Sequence, residues 1–263
     1  MSKQKRYSRY LILLLILLAI TVHNAYVYTS VRSWQRTLSV MVYPSNGDGL
    51  ASTDEYIQSL TKQNIEEIAR FINSEANRYG VKDVQAIDVQ LSAEKFGSPP
   101  RLPRKRNVFS NIYWSLYFRG WANFQLYTSE ANVPDIALFA VFFDPKYTER
   151  LGHSIGLAGS MIAVINVFAD RQYQGSNNVV ITHELLHTVG ASDKYDATTN
   201  LPLFPQGFAN PEKSPVYPQT QAEIMGGRIP LSADRAVMPS SLQEIIVGRR
   251  TALEMHWPVA IGE

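Results

Sequence analysis

Apolar residues recur along this chain at two different periods, and the alternation between them gives the first outline of a fold. Leu38-Ser-Val-Met-Val-Tyr43 alternates and is rich in β-formers, and Pro44-Ser-Asn-Gly-Asp-Gly49 is turn chemistry, so a first strand ends near Pro44. Behind Ser52-Thr-Asp-Glu55, the residues Ile57, Leu60, Ile65, Ile68, Phe71 and Ile72 fall at helical spacing as far as Arg78, with Gly80 as the stop. That pattern predicts one long amphipathic helix. Val84 to Leu91 reads as a second strand, and the unbroken apolar run Asp135 to Phe143 as a buried third. Tyr113, Trp114, Tyr117, Phe118 and Trp121 have near-helical spacing and read as core. Gly156 to Phe168 supplies one or two further strands, leading into a helix that starts near Ser176, Asn177 or Asn178. A last helix is expected from about Ser240 to Met255, ahead of Trp257-Pro258.

Strands alternating with helices predict an α/β fold, a twisted and mostly parallel sheet with packed helices. Two stretches break the rhythm. Gly97 to Arg106 is a basic, proline-containing loop, and Pro202, Pro205, Pro211, Pro215 and Pro218 forbid helix over some twenty residues. The expected organisation is a first lobe over residues 37–190 and a smaller one over 191–263.

The N-terminus has a third character. Lys3, Lys5, Arg6 and Arg9 precede the apolar run Leu11 to Val22, which predicts a cytosolic basic segment (1–9) and a transmembrane signal-anchor (10–30). His23 stands two positions before Ala25, so no small-x-small cleavage site is evident, and the segment reads as an uncleaved anchor. The remainder is then extracytoplasmic, or secreted if the segment is cut.

Composition narrows the chemistry. A formal net charge of +2 gives no footprint for nucleic acid, and the absence of cysteine removes disulfides, thiolate metal sites and a catalytic thiol. What remains is concentrated in Thr182-His183-Glu184-Leu-Leu-His187-Thr-Val-Gly190-Ala-Ser-Asp193-Lys-Tyr195. On a helix, His183 and His187 share one face, so two imidazoles can converge on one ion. Glu184, one step round, can reach a water bound there and take its proton. Gly190 suits the left-handed residue that ends a helix and turns the chain, which brings Asp193 back as a third ligand and leaves a fourth position open, as a catalytic zinc requires. Chance alone places an H-E-x-x-H string in roughly one chain of this size in a hundred, and the glycine and aspartate cut that by a further factor of about a hundred.

The motif H-E-x-x-H-x-x-G-x-x-D from His183 to Asp193, with the downstream Ile224-Met225-Gly226, resembles the metzincin metalloproteases. It is closest to the aspartate-ligand variant of snapalysin-like and immune-inhibitor-A-like peptidases. The resemblance implies a zincin-like α+β fold, an active-site helix, and a small C-terminal lobe whose turn sets Met225 as a floor beneath the zinc. Where some members carry a tyrosine two residues after that methionine, Gly227 stands here, and Tyr195 is the nearest substitute as an oxyanion partner.

The expected function is zinc-dependent endopeptidase activity on a peptide or protein, with His183, His187 and Asp193 as ligands and Glu184 as general base and acid. The expected substrate track is an exposed strand edge within Gly156 to Val167. A rival from another class is a zincin-fold module that binds a protein or cell-envelope partner and hydrolyses nothing. A second rival takes Glu223 as the third ligand. His153 and His256, without ligand-type neighbours at telling spacing, read as structural.

Overall fold

The computed structural model describes residues 25–82, 85–94, 96–103, 107–129, 132–157 and 159–259, with residues 10, 12, 14, 15, 18, 21 and 22. Eight of the 21 positions of the expected anchor (11, 13, 16, 17, 19, 20, 23 and 24) therefore lie outside the described residues. Among the latter, no helix is long and apolar enough to cross a membrane.

Five strands form the main sheet: β1 (Leu38–Asn46), β2 (Ile87–Leu91), β3 (Ile136–Phe143), β4 (Ile155–Leu157) and β5 (Ile162–Phe168), in the order β2-β1-β3-β5-β4. The pairings are parallel except β4 with β5, where Ile155 faces Val164 and Leu157 faces Ile162. The expected mixed α/β architecture with a mostly parallel sheet is present. β3 is buried along nearly its whole length because helices cover both faces of the sheet. On one face, α1 (Ala51–Ser59), α2 (Lys62–Arg78) and α4 (Gln174–Thr188) bury Ile65, Ile68, Ile72 and Leu185 against Val40, Val42, Leu138 and Ile165. On the other, α3 (Val108–Thr128) lays Trp114, Phe118, Ala122 and Leu126 on Tyr43, Phe139 and Val164. The aromatic stripe thus divides: Trp114 and Phe118 are core, whereas Tyr113 and Tyr117 are exposed.

Several boundaries differ from the sequence expectation, each for a local reason. The single long helix is two, because Leu60 and Thr61 are extended and Thr61 caps α2 in a reciprocal box with Asn64. β1 runs past Pro44 to Asn46. Val42 and Leu38 bond toward β2, so Pro44 faces the same side, beyond the last β2 pair, and its missing N–H costs no ladder bond. The second strand begins at Ile87, and Val84 lies outside the described residues. The last helix is confined to α5 (Arg249–Glu254). The residues before it form a 3-10 turn (Leu242–Glu244) and β9 (Ile245–Ile246), which pairs with β6 (Ala222–Glu223) and so cannot be helical. A further small hairpin joins β7 (Ile229–Pro230) to β8 (Ala236–Val237).

Residues 25–31 are helical and run directly into the core, where Val31 and Trp34 are buried. The Trp34 indole donates to the Met255 carbonyl at 2.7 Å and meets Trp257 edge-on, and Arg32 donates to the Glu254 carbonyl.

The entrance to β3 is fixed by charge. Asp135 accepts from both terminal nitrogens of Arg36 at 2.6 Å, and from the Ser39 amide and hydroxyl at 2.9 and 3.1 Å. Burial acts to raise the Asp135 pKa, but these donors outweigh it and hold the carboxyl below its usual range. A depressed folded-state pKa contributes stability that is present above the ordinary aspartate value and lost as pH falls through the folded one. Asp135→Asn should therefore cost about 1 kcal/mol at neutral pH, read from the urea midpoint, with the gap to wild type closing below about pH 4.

Candidate metal centre

The site is built on α4, whose N-terminal polar residues anchor the helix. Asn177 accepts from the Phe168 amide at 3.1 Å and donates to the Phe168 carbonyl at 2.8 Å, tying the helix to the end of β5. Asn178 donates to the Asn64 carbonyl of α2 at 2.9 Å. Both asparagines are buried, and the helix starts at Gln174, before the position that their polarity suggested.

The other end closes in a Schellman turn: the Ala191 amide bonds the Leu186 carbonyl at 3.0 Å, the Gly190 amide bonds the His187 carbonyl at 3.1 Å, and Gly190 has φ +105°. A Cβ there would lie 2.9 Å from the Tyr28 hydroxyl and 3.1 Å from the Arg32 guanidinium, side-chain ends that can move aside, so it is the backbone angle that calls for glycine. The turned chain returns the Ala191 carbonyl to His187, whose Nδ1 donates to it at 2.8 Å. Two residues on, Asp193 faces both imidazoles.

His183 Nδ1 similarly donates to the Ile224 carbonyl at 2.9 Å. Carbonyl oxygens only accept, so each ring carries a proton on Nδ1, and in its neutral form it presents a lone pair at Nε2. Those two Nε2 atoms lie 3.1 Å apart, and Asp193 Oδ1 stands 3.0 Å from the first and 3.1 Å from the second. Three lone-pair atoms at such separations repel unless a cation lies between them. A proton can bridge only one pair. The separations approach the ~3.3 Å edge of a tetrahedron with ~2.0 Å bonds, the size of a zinc shell. His183, Glu184 and His187 likewise offer ligand atoms within 4.8 Å of one another, so this group could hold a metal ion. Of the two carboxylates, Asp193 makes the closer approach.

Charges in the site follow from its burial. Burial acts to raise the Asp193 pKa, but the two imidazoles outweigh it and hold the carboxyl well below the usual range. For His183, burial acts downward and is overcome by Asp193, Glu184 and the Ile224 carbonyl, so its pKa is raised. Glu184 is 7 % exposed, and burial lifts its pKa against the pull of the imidazoles and the Gly156 amide. Its Oε2 is buried without a hydrogen-bond partner. Burial, with the charges of Asp193 and Glu184, pushes the Tyr195 phenol to about 12, so it stays a proton donor at neutral pH. Tyr195 stands 6.2 Å from His183, ring to ring.

Beneath the site the chain turns at Glu223–Gly226. Met225 is fully buried there; its amide donates to Glu223 Oε2 at 2.7 Å and its carbonyl accepts from the Lys194 amide at 2.8 Å. Glu223 is not directed at the imidazoles. Its Oε2 also accepts from Gly226, and its Oε1 from the Gly248 amide and the Thr251 hydroxyl, so four donors occupy a fully buried carboxylate. This removes Glu223 as a third ligand.

A cleft of about 250 Å³ opens over the site, lined among others by His183, Glu184, Tyr195, His153 and Arg228. His153, read from its spacing as structural, lines the cleft; His256 does not. Neither His153 nor Arg228 has a sequence signal, because each reaches the cleft only through the fold. Gly156 does have one, as a lone glycine in an apolar strand. A Cβ on Gly156 would sit 2.4 Å from the Glu184 carbonyl oxygen, so its absence lets β4 lie directly on α4. Within the expected 156–167 edge only β4 is free on one side, since β5 is paired on both.

No family model matches this chain, and no curated protein does either. Among solved structures, a chain from one described as "Structure of a chaperone-substrate complex" aligns with 84 % of this chain and 35 % of its own length. Its identity is 13 % and its TM-score 0.37, too low to carry an argument.

The geometry separates the two carboxylates experimentally. Asp193→Ala should weaken divalent-metal affinity by about 100-fold or more, whereas Glu223→Gln should bind metal at full stoichiometry. Calorimetric titration with zinc ions checks both, and full affinity in Asp193→Ala would remove it from the ligand set.

Proposed function

We propose that the chain is a zinc-dependent endopeptidase of metzincin type, in its aspartate-ligand form, with His183, His187 and Asp193 as ligands. The observation that carries this reading is the triangle of three lone-pair atoms, 3.0 to 3.1 Å apart, beside a buried glutamate oxygen with no partner of its own. A purely structural zinc has four protein ligands and no need of an idle buried carboxylate. Zinc bound there would supply a Lewis acid that acidifies a water and polarises the scissile carbonyl.

The protein's own groups do the rest. Glu184 takes a proton from the water as its oxygen adds to the carbonyl carbon, and hands that proton to the amine nitrogen as the C–N bond breaks. A carboxyl whose pKa burial has raised suits both halves of this exchange. Tyr195, protonated at working pH, donates to the oxygen on which charge develops. Substrate adds as a strand along the free edge of β4, which Gly156 keeps close to Glu184. The floor role of Met225 and the membrane anchor, with an extracytoplasmic catalytic unit, belong to the same proposal.

Glu184→Ala should retain zinc and lose at least about 10³-fold in kcat on any peptide that the wild type cuts, and Tyr195→Phe should lose about 10- to 100-fold with KM little changed. Cleavage is followed by mass spectrometry on a peptide mixture. Equal inertness of wild type and Glu184→Ala, with zinc bound in both, would favour the binding module instead.

A further inference from the structure

A second cavity, of about 490 Å³, lies beside the metal cleft and shares Gly152 and His153 with it. Its inner wall is Val141, Phe143 and Val164, on the sheet face opposite the metal helix. Its roof is the stretch 98–103, with Leu102 facing in and Arg101 at the rim. That stretch is held in place. Ser98 donates to the Asn46 carbonyl at 2.8 Å, Arg101 to the Gly47 carbonyl at 3.3 Å, and the Trp114 indole of α3 to the Pro100 carbonyl at 3.0 Å. The cavity is therefore already formed. The roof is part of the segment that the sequence marks as a basic, proline-containing loop, and neither the metal site nor the proposed chemistry uses it.

We propose that this cavity is a specificity pocket that takes one large apolar side chain, aromatic or branched aliphatic, of a peptide extended along β4. The inference rests on the peptidase reading for its ligand class, and on the sheet for its geometry. Successive side chains of an added strand point to opposite faces. Here β5 shows that division: Ala163 and Ile165 belong to the cluster under the metal helix, Ile162 and Val164 to the cluster on the other face. A peptide leaving the cleft along this edge turns one side chain to the metal-helix face and the next to the pocket face. Residues 152–154, where cleft and cavity meet, are clamped to β5, since the Asn166 amide donates to Ser154 and the Asn166 side chain donates to the His153 carbonyl.

The lining selects by chemistry. Its walls are mostly aliphatic, aromatic and proline side chains, they include no aspartate or glutamate among the described residues, and the exposed Arg101 adds a positive charge. A lysine or arginine side chain would lose water there without gaining a counter-charge, whereas phenylalanine or leucine gains by burial.

The test uses full-length Glu184→Ala protein loaded with zinc, so that binding is read without cleavage. Fluorescein-labelled octapeptides of Gly, Ala and Ser carry Phe, Lys or Ala at each position in turn, and affinity is measured by anisotropy. At one position Phe should bind about tenfold or more tightly than Ala, and Lys no better than Ala. Adding Leu102→Trp, which fills the pocket, should abolish that preference and leave other positions within about twofold; adding Leu102→Ala should reduce it severalfold. Absence of binding, absence of a Phe position, or a preference that survives in whichever Leu102 variant keeps the wild-type melting temperature overturns the pocket. Cleavage by the zinc-loaded wild type is scored on the same peptides. Peptides bound with the preference but never cut sink the peptidase reading alone, and cutting without the preference sinks the pocket alone.

Discussion

The Glu223 carboxylate is buried completely, and the site above it depends on what that burial demands. A carboxylate taken out of water loses several kcal/mol of hydration, which only hydrogen bonds can restore. Four donors restore it here: two amides of its own turn, the amide at the start of α5 and a hydroxyl from within α5. The turn is thereby locked into one shape and stapled to the last helix. From that turn the Ile224 carbonyl sets the His183 ring and the Met225 carbonyl holds Lys194, the residue after Asp193. Lys194 is braced again by Glu254 of α5 at 2.8 Å, with both side chains largely buried. One carboxylate thus fixes the orientation of the His183 ring and the approach of Asp193 from the same foundation.

How much of this was legible in the sequence depends on how local each interaction is. His183 and His187 are one turn apart, and the Gly190 turn that returns Asp193 is made within three residues, so spacing alone brings the three together. The supporting layer is not local: the Ile224 carbonyl is 41 residues from the ring it orients, and the Thr251 hydroxyl 28 residues from Glu223. Glu223 even invited a wrong role, because the residue type that ligates metals also serves as a buried hub, and only its partners distinguish the two.

The fold shows the same division. The apolar run of β3 and the alternation of β1 were readable because burial imposes period. Periodicity carried straight through Leu60-Thr61 and from Leu242 to Ile246, where a capping side chain in one case and strand pairing in the other override it. Asn177 and Asn178 were read as polarity at a helix end; they are buried because backbone groups of β5 and α2 await them. His153 and the roof over the second cavity meet the cleft only once β4 is laid against β5.

The passage from residue 25 into the core has a mechanical meaning. Tyr28 and Arg32 lie over the glycine that ends α4, and Trp34 is bonded to the far end of α5, so no slack chain separates residues 25–31 from the body that carries the site. Whatever grips the helix at residues 25–31 grips the site through a stiff lever and not a tether.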